Sequence, residues 1–448
     1  MAEIRAFRAV RPAAAYAKEI AALPYDVYDE AEARRAVAGK PLSFLCIDRA
    51  ETQLPEGTDP YSPVVYEKAA ALFEKEERDG YFEQEKTDCY YVYSLRMNGR
   101  VQTGLVACTA VSDYLNGICR KHENTVVKKE QDRIRHVKAL KAQTGPIFLA
   151  YHADPEISRW IRETMENRPL YDFTADDGVQ HTVWRIADAA RIREITERFA
   201  RHVPCTYIAD GHHRAASAVK AALELREKAQ QGNAMHGGQS GDGDKAEQTG
   251  RSARMMEYDY FLSVLFPDDE LEIMDYNRVV RDLNGLSAEA FLKRSSECFD
   301  IRKLRKDELD KKAGVPLEKP REKGVFHVYP AAEGSWYEFR LREEERKKRE
   351  KDPVQCLDVS ALQELLLTPV LGIGDPRTDE RIEFVGGIRG IRILREKADS
   401  CGGVAFSMHP TAIGELMAVA DAGRLMPPKS TWFEPKLRSG LFIHKIGE

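Results

Sequence analysis

Apolar residues recur at three- and four-residue spacing in some stretches of the chain and run continuously or in alternation through others, which predicts a mixed α/β (α+β) protein. Helical spacing is read over 30–38, 63–77, 129–138, 188–201, 215–225, 358–371 and 411–422. Strand-like runs are read over 42–47, 89–97, 101–111, 147–151, 183–186, 205–209, 274–280, 325–329, 336–341, 382–385 and 404–408. Asn98-Gly99 between two of those runs is a strong hairpin signal. The segment 230–254 is rich in Gly, Ser, Gln and Asp without periodic apolar positions and reads as a surface insertion. The character of the chain changes near residue 285, where charged helical stretches begin to surround the strands. The expected division is therefore 1–285 and 286–448.

Composition narrows the classes. The chain has 448 residues, 43% hydrophobic and 31% charged, with a net charge of −5, so no global basic signal for nucleic acid is present. No run approaches the ~18 apolar residues of a membrane span. The N-terminal stretch carries charges throughout and no apolar core, so no secretory signal is expected. The eight cysteines include no Cys-x-x-Cys pair, which argues against a zinc ribbon or a disulfide framework and for reduced thiols in the cytoplasm.

The chemistry gathers at 205–229. A β-like run meets Asp210-Gly211, and His212, His213 and Arg214 then open a helix. A helix N-terminus favours anions, glycine permits close backbone approach, and arginine grips phosphate or carboxylate bidentately. The competing reading is a surface turn whose polar residues cap and solvate. Tyr25 and Asp26 follow Pro24 in a stiff loop and either face a ligand or cap a turn. His122 and Glu123 beside Lys121 offer a general base, or else a solvated charge cluster. Arg278, beside Val279-Val280, is a second anion contact or a strand-edge charge. The segment Met426-Pro427-Pro428-Lys429-Ser430-Thr431, followed by Pro435-Lys436, suits a phosphate contact, although it lacks the glycines of a Walker A loop. Its alternative is a tail packed by Trp432 and Phe433.

As a set, Pro24-Tyr25-Asp26-Val27, Lys121-His122-Glu123 with Thr125, Asp132-Arg133, Asp210-Gly211-His212-His213-Arg214 and the C-terminal Pro-Pro-Lys-Ser-Thr with Pro435-Lys436 resemble the bacterial and archaeal family called domain of unknown function 1015. The likeness spans nearly the whole chain. It departs at the 230–254 insertion, longer than expected, and at Asn277-Arg278, where His-Arg is expected. That family looks like a member of the ParB and sulfiredoxin-like superfamily, in which a similar turn at a helix N-terminus holds nucleotide phosphates and which includes kinases of free L-serine. The resemblance therefore implies a ParB/sulfiredoxin-like core with insertions and an α+β C-terminal part. His212 stands where sulfiredoxin carries its cysteine, so sulfinic acid reduction is not expected.

The functional expectation is a small-molecule kinase, acting on free L-serine with ATP or ADP and Mg2+. Asp210, Gly211, His212, His213, Arg214, Lys429, Ser430 and Thr431 would hold the nucleotide phosphates. Glu123, with His122 and His213, would carry the proton transfer, and Asp26 and Asp210 the metal. Tyr25, Asp26, Arg133, Arg278 and Lys436 would contact the substrate. The alternative is a non-catalytic, ParB-like nucleotide-binding regulator. The expected partners are a small-molecule substrate and a nucleotide, with no membrane or nucleic acid, and self-association stays open.

Overall fold

The computed structural model describes residues 1–236, 255–310 and 312–447, and it is a mixed α/β structure with several sheets. The chain forms two compact units. The first comprises Met1–Arg120, Asn124–Leu271 and Pro435–Glu448, and the second Lys121–Glu123 and Glu272–Glu434.

The first unit is built on nine strands: β1 (Ile4–Arg5), β2 (Tyr90–Met97), β3 (Arg100–Ala110), β4 (Cys119–Arg120), β5 (Ile147–Tyr151), β6 (Tyr171–Thr174), β7 (Gln180–Ile186), β8 (Thr206–Asp210) and β9 (Tyr260–Pro267). Their order across the sheet is β4-β8-β5-β9-β3-β2-β7-β6, with β1 also on β3. The β2–β3 turn is the expected hairpin, with Asn98 and Gly99 at φ 51° and 82°, the left-handed geometry that matches strand twist. The run read over 183–186 lies in β7, which pairs with both β2 and β6.

Five longer helices belong to this unit: α1 (Pro63–Arg78), α2 (Val127–Leu140), α3 (Pro155–Met165), α4 (Ala189–His202) and α5 (His212–His236). Ile157 and Trp160 of α3, Ile195 and Phe199 of α4, and Ala215, Ala218, Val219 and Ala222 of α5 share one core with the sheet residues Val92, Leu105, Leu149 and Ile208. A second core lies under α1, where Val65, Ala69 and Phe73 meet Phe44, Ile47, Phe82 and Ile443. The strand expected over 42–47 is instead a buried helical turn, Leu45–Asp48. A short apolar run without alternation does not distinguish the two. Helix α5 continues to His236, into the segment read as an insertion; the remainder of that reading, 237–254, lies outside the described residues.

The second unit carries six strands, β10 (Tyr276–Val280), β11 (Phe299–Lys303), β12 (Val325–Pro330), β13 (Tyr337–Leu341), β14 (Ile382–Gly386) and β15 (Val404–Met408). They form one antiparallel sheet in the order β11-β13-β12-β15-β10-β14. Leu394 and Ala398 of helix Gly390–Cys401 pack on Val279, Val385 and Ala405 of this sheet. The single helix expected over 358–371 is an α-turn, Asp358–Leu362, running into a π-turn, Gln363–Leu367. Among the described residues, no helix is long and apolar enough to cross a membrane.

Candidate anion-binding site in the first unit

The strand–turn–helix expected at 205–229 is present. Strand β8 pairs with β5, and the register slips between Ile208 and Asp210, a bulge that re-aims the strand end. Gly211 follows at φ +91°, which a side-chain-bearing residue rarely adopts, and its carbonyl accepts the N–H of Ala215 as α5 begins. The first amides of a helix lack intrahelical acceptors, and its dipole is positive at that end.

Asp210 and Arg214 flank this turn. One carboxylate oxygen of Asp210 accepts the N–H of Gly211 at 2.9 Å. The other lies 3.1 Å from Lys436 Nζ and 3.8 Å from Arg214 Nη2. Burial pushes this carboxyl up, but Lys436 and Arg214 outweigh that and hold it well below the ordinary aspartate range. Arg214 Nη1 donates to the carbonyl of Pro146 at 2.6 Å, while its Nε is buried with no hydrogen-bond partner. A Cβ on Gly211 would stand 3.0 Å from that Nε, so glycine leaves room for the guanidinium. Gly145 does the same on the other side, where an added Cβ would meet Ser439 Oγ at 3.1 Å and Arg214 Nη1 at 3.5 Å.

Arg214 opens into a pocket lined also by Tyr25, Asp48, Arg133, Thr144 and Ser439. Arg133 stacks over the Tyr25 ring at 4.0 Å and binds Asp132 at 2.7 Å. Burial lowers the proton affinity of Arg133, and Asp132 and Tyr25 more than restore it. Burial likewise pushes the Tyr25 hydroxyl up against the lowering pull of Arg133, so it is a neutral donor. Asp26 is exposed and lines a second pocket with Tyr25 and Arg133. His212 is buried at the start of α5, and His213 Nε2 accepts the N–H of Val126 at 2.9 Å, which commits that nitrogen as an acceptor. Thr125 Oγ1 donates to Glu130 at 2.8 Å, and Glu130 also binds Lys220, so the start of α2 is stitched to α5.

The structure thus gathers Tyr25, Arg133, Asp210, Gly211, Arg214 and Lys436 in the first unit. Asp26, His212 and His213 also belong to the first unit, whereas His122, Glu123, Arg278, Lys429, Ser430 and Thr431 belong to the second. There the carbonyl of His122 accepts the N–H of Met426 at 2.8 Å. Arg278 is buried and donates to the carbonyls of Tyr276 and, at 2.9 Å, Lys429; burial draws its pKa down to about 10. Lys429 is exposed at φ +59°, and Ser430 Oγ donates to the carbonyl of Pro427 at 2.6 Å, closing a turn.

The expected metal role does not fit Asp210: its oxygens take an amide and face two cations, the setting of a counter-ion. Among the described residues, no group of three or more His, Cys, Asp or Glu could hold a metal ion. Sequence reasoning missed Asp48, Thr144 and Ser439. Asp48 lies one residue past the run 42–47 that reads as a strand, and Thr144 lies between the helical stretch 129–138 and the strand-like run 147–151, with no motif of its own. Ser439 had no local signal, because the amide and carbonyl contacts that place it, with Ala22, are long-range.

No curated protein matches the chain. Among solved structures, it is similar to a free serine kinase in complex with AMP, at 14% identity and TM-score 0.31, covering 76% of this chain and 93% of that one. It is similar to a conserved hypothetical protein from Pyrococcus furiosus at 13% identity and TM-score 0.30, covering 77% and 95%. It is also similar to SbnI with a C-terminal truncation from Staphylococcus aureus, at 9% identity and TM-score 0.33, covering 75% and 85%. Likenesses this distant carry no information about activity. Residues 4–360 match the family described as "Protein of unknown function (DUF1015)", and the chain belongs to that family.

Proposed function

We propose that the first unit binds a nucleotide through its phosphates at the Asp210–Arg214 turn, and that the protein is a phosphotransferase acting on a small hydroxyl compound. Free L-serine is the expected acceptor and ATP or ADP the donor. The observation that carries the reading is the Arg214 guanidinium: held by Pro146 and left with a buried, unpartnered Nε at a helix N-terminus. A buried donor without an acceptor is costly, and a phosphate oxygen removes that cost. Lys436 adds a second cation, with Asp210 holding it in place.

Phosphoryl transfer asks the protein chiefly for position and charge. The acceptor oxygen forms the new O–P bond as the bridging P–O bond breaks, releasing the nucleotide shortened by one phosphate. The hydroxyl proton passes to a base. Glu123 is the expected base on its sequence setting alone, and Glu123→Gln tests it separately. Mg2+ enters this reading as the companion of the nucleotide phosphates, not as an ion resident on Asp210.

The test is to incubate the protein with ATP or ADP, Mg2+ and a pool of amino acids and small polyols, and to search by mass spectrometry for the gain of one phosphate. Phosphoserine formed by the wild type, lost in Arg214→Ala and lost on chelating Mg2+, is the expected result. Nucleotide binding without any phosphorylated product would reject the kinase and favour the non-catalytic regulator.

A further inference from the structure

We propose that Asp48 is the cation-binding end of this site and selects an acceptor that carries a primary ammonium group beside its hydroxyl. The inference rests on the phosphotransfer reading and names the chemistry of the acceptor. Asp48 ends the buried turn Leu45–Asp48 and is 4% exposed. It lines two pockets that share Tyr25 and Arg133, the one holding Arg214 and the one holding Asp26.

The arginines around it make their contact ion pairs with other carboxylates, although Arg133 lies near enough for the Asp48 charge to raise its proton affinity. Arg49 binds Glu51 through Nε and donates from Nη1 to the carbonyls of Tyr25 and Tyr28 at 3.1 and 2.9 Å. Arg133 binds Asp132 through Nε at 2.8 Å and Nη2 at 2.7 Å. Asp48 itself accepts from Thr144 Oγ1 at 3.1 Å and has His136 Nε2 at 3.8 Å. That histidine does not balance the charge. Its Nε2 is nearer the carbonyl of Ile47, at 3.3 Å, and burial together with Arg133 lowers its pKa to about 4, so it is neutral at neutral pH. Among the described residues, no lysine or arginine forms an ion pair with Asp48.

A buried carboxylate in that position is costly unless a cation completes it. Acceptance from Thr144 does not explain the charge, since asparagine would accept equally well. An ammonium group, with three donors and a compact charge, suits a buried carboxylate that no cation touches, beside a phosphate site.

The experiment is calorimetric titration of the wild type and Asp48→Asn, with and without saturating ADP, using two matched pairs: L-serine against L-glycerate, and ethanolamine against ethylene glycol. The wild type should prefer each ammonium compound by at least about tenfold, and Asp48→Asn should lose that preference while still binding ADP. Equal binding within each pair, no binding of any of the four, or an undiminished preference in Asp48→Asn would overturn the inference. If circular dichroism shows that the asparagine variant does not fold, Asp48→Ser takes its place, and the wild-type pairs still decide whether an ammonium is recognised. Ammonium preference without ADP binding would reject the phosphotransfer reading and keep the role of Asp48. ADP binding without that preference would reject this inference alone.

Discussion

Gly211 and Arg214 are fitted to one another: the glycine adopts φ +91°, and the guanidinium occupies the place of the missing side chain. Gly211→Ala should therefore do two things. It should lower stability by about 1–2 kcal/mol through the left-handed backbone, read as a fall in melting temperature. It should also displace Arg214 and weaken nucleotide binding, read by titration. A melting temperature that falls while nucleotide affinity is untouched would separate the fold from the site. Lys436 and Asp210 form the other fitted pair, 3.1 Å apart with the lysine 14% exposed. Lys436→Met leaves Asp210 with Arg214 alone, so the aspartate draws more strongly on the arginine meant for phosphate. Nucleotide affinity should fall, and Asp210→Asn in the same chain should restore part of it.

Helices and strands put these residues in place, and how far each was legible depended on the range of its causes. The β8–turn–α5 unit was readable because every cause is local: an apolar run, Asp-Gly, then Ala215, Ala218, Val219 and Ala222 at helical spacing. The β2–β3 hairpin was readable for the same reason. The turn Leu45–Asp48 was not, since burial on all sides erases periodicity, and with it went Asp48. Nor did spacing show that α5 would continue past residue 230 or that Gln363–Leu367 would widen into a π-turn. The Pro-Pro-Lys-Ser-Thr segment and Lys436 read as one tail, yet Lys429 lies in the second unit and Lys436 in the first. The register that divides them is tertiary: Phe433 pairs with Ile273, whereas Ser439 bridges Ala22 and His444 pairs with Gln143.

At the scale of the whole chain, the last residues are part of the first unit's core. Phe442 is fully buried, its ring centroid 5.2 Å from that of Tyr91 and 5.6 Å from that of Tyr93. Phe442→Ala should cost about 3–5 kcal/mol, measured by denaturant unfolding. Stability should also depend on pH through His136. Its folded pKa of about 4 lies below the usual value of about 6.5, so the unfolded chain takes up a proton first as pH falls. The contribution is intact above about pH 6.5 and is lost towards pH 4, by at most about 3 kcal/mol. Glu76, raised by burial to about 7, acts in the opposite sense, losing stability as pH rises from about 4.5. The effect of His136 is therefore read as the difference between the wild type and His136→Gln, whose melting temperature should fall less between pH 6.5 and 4. An identical slope in both would contradict it. The central claim, that the Asp210–Arg214 turn holds nucleotide phosphates, is tested most directly by titrating ADP into the wild type and into folded Arg214→Ala. The account predicts binding by the wild type and a loss of about 10- to 100-fold in the variant, the worth of one charge-assisted phosphate contact. Equal affinities, or no binding by the wild type, would contradict it.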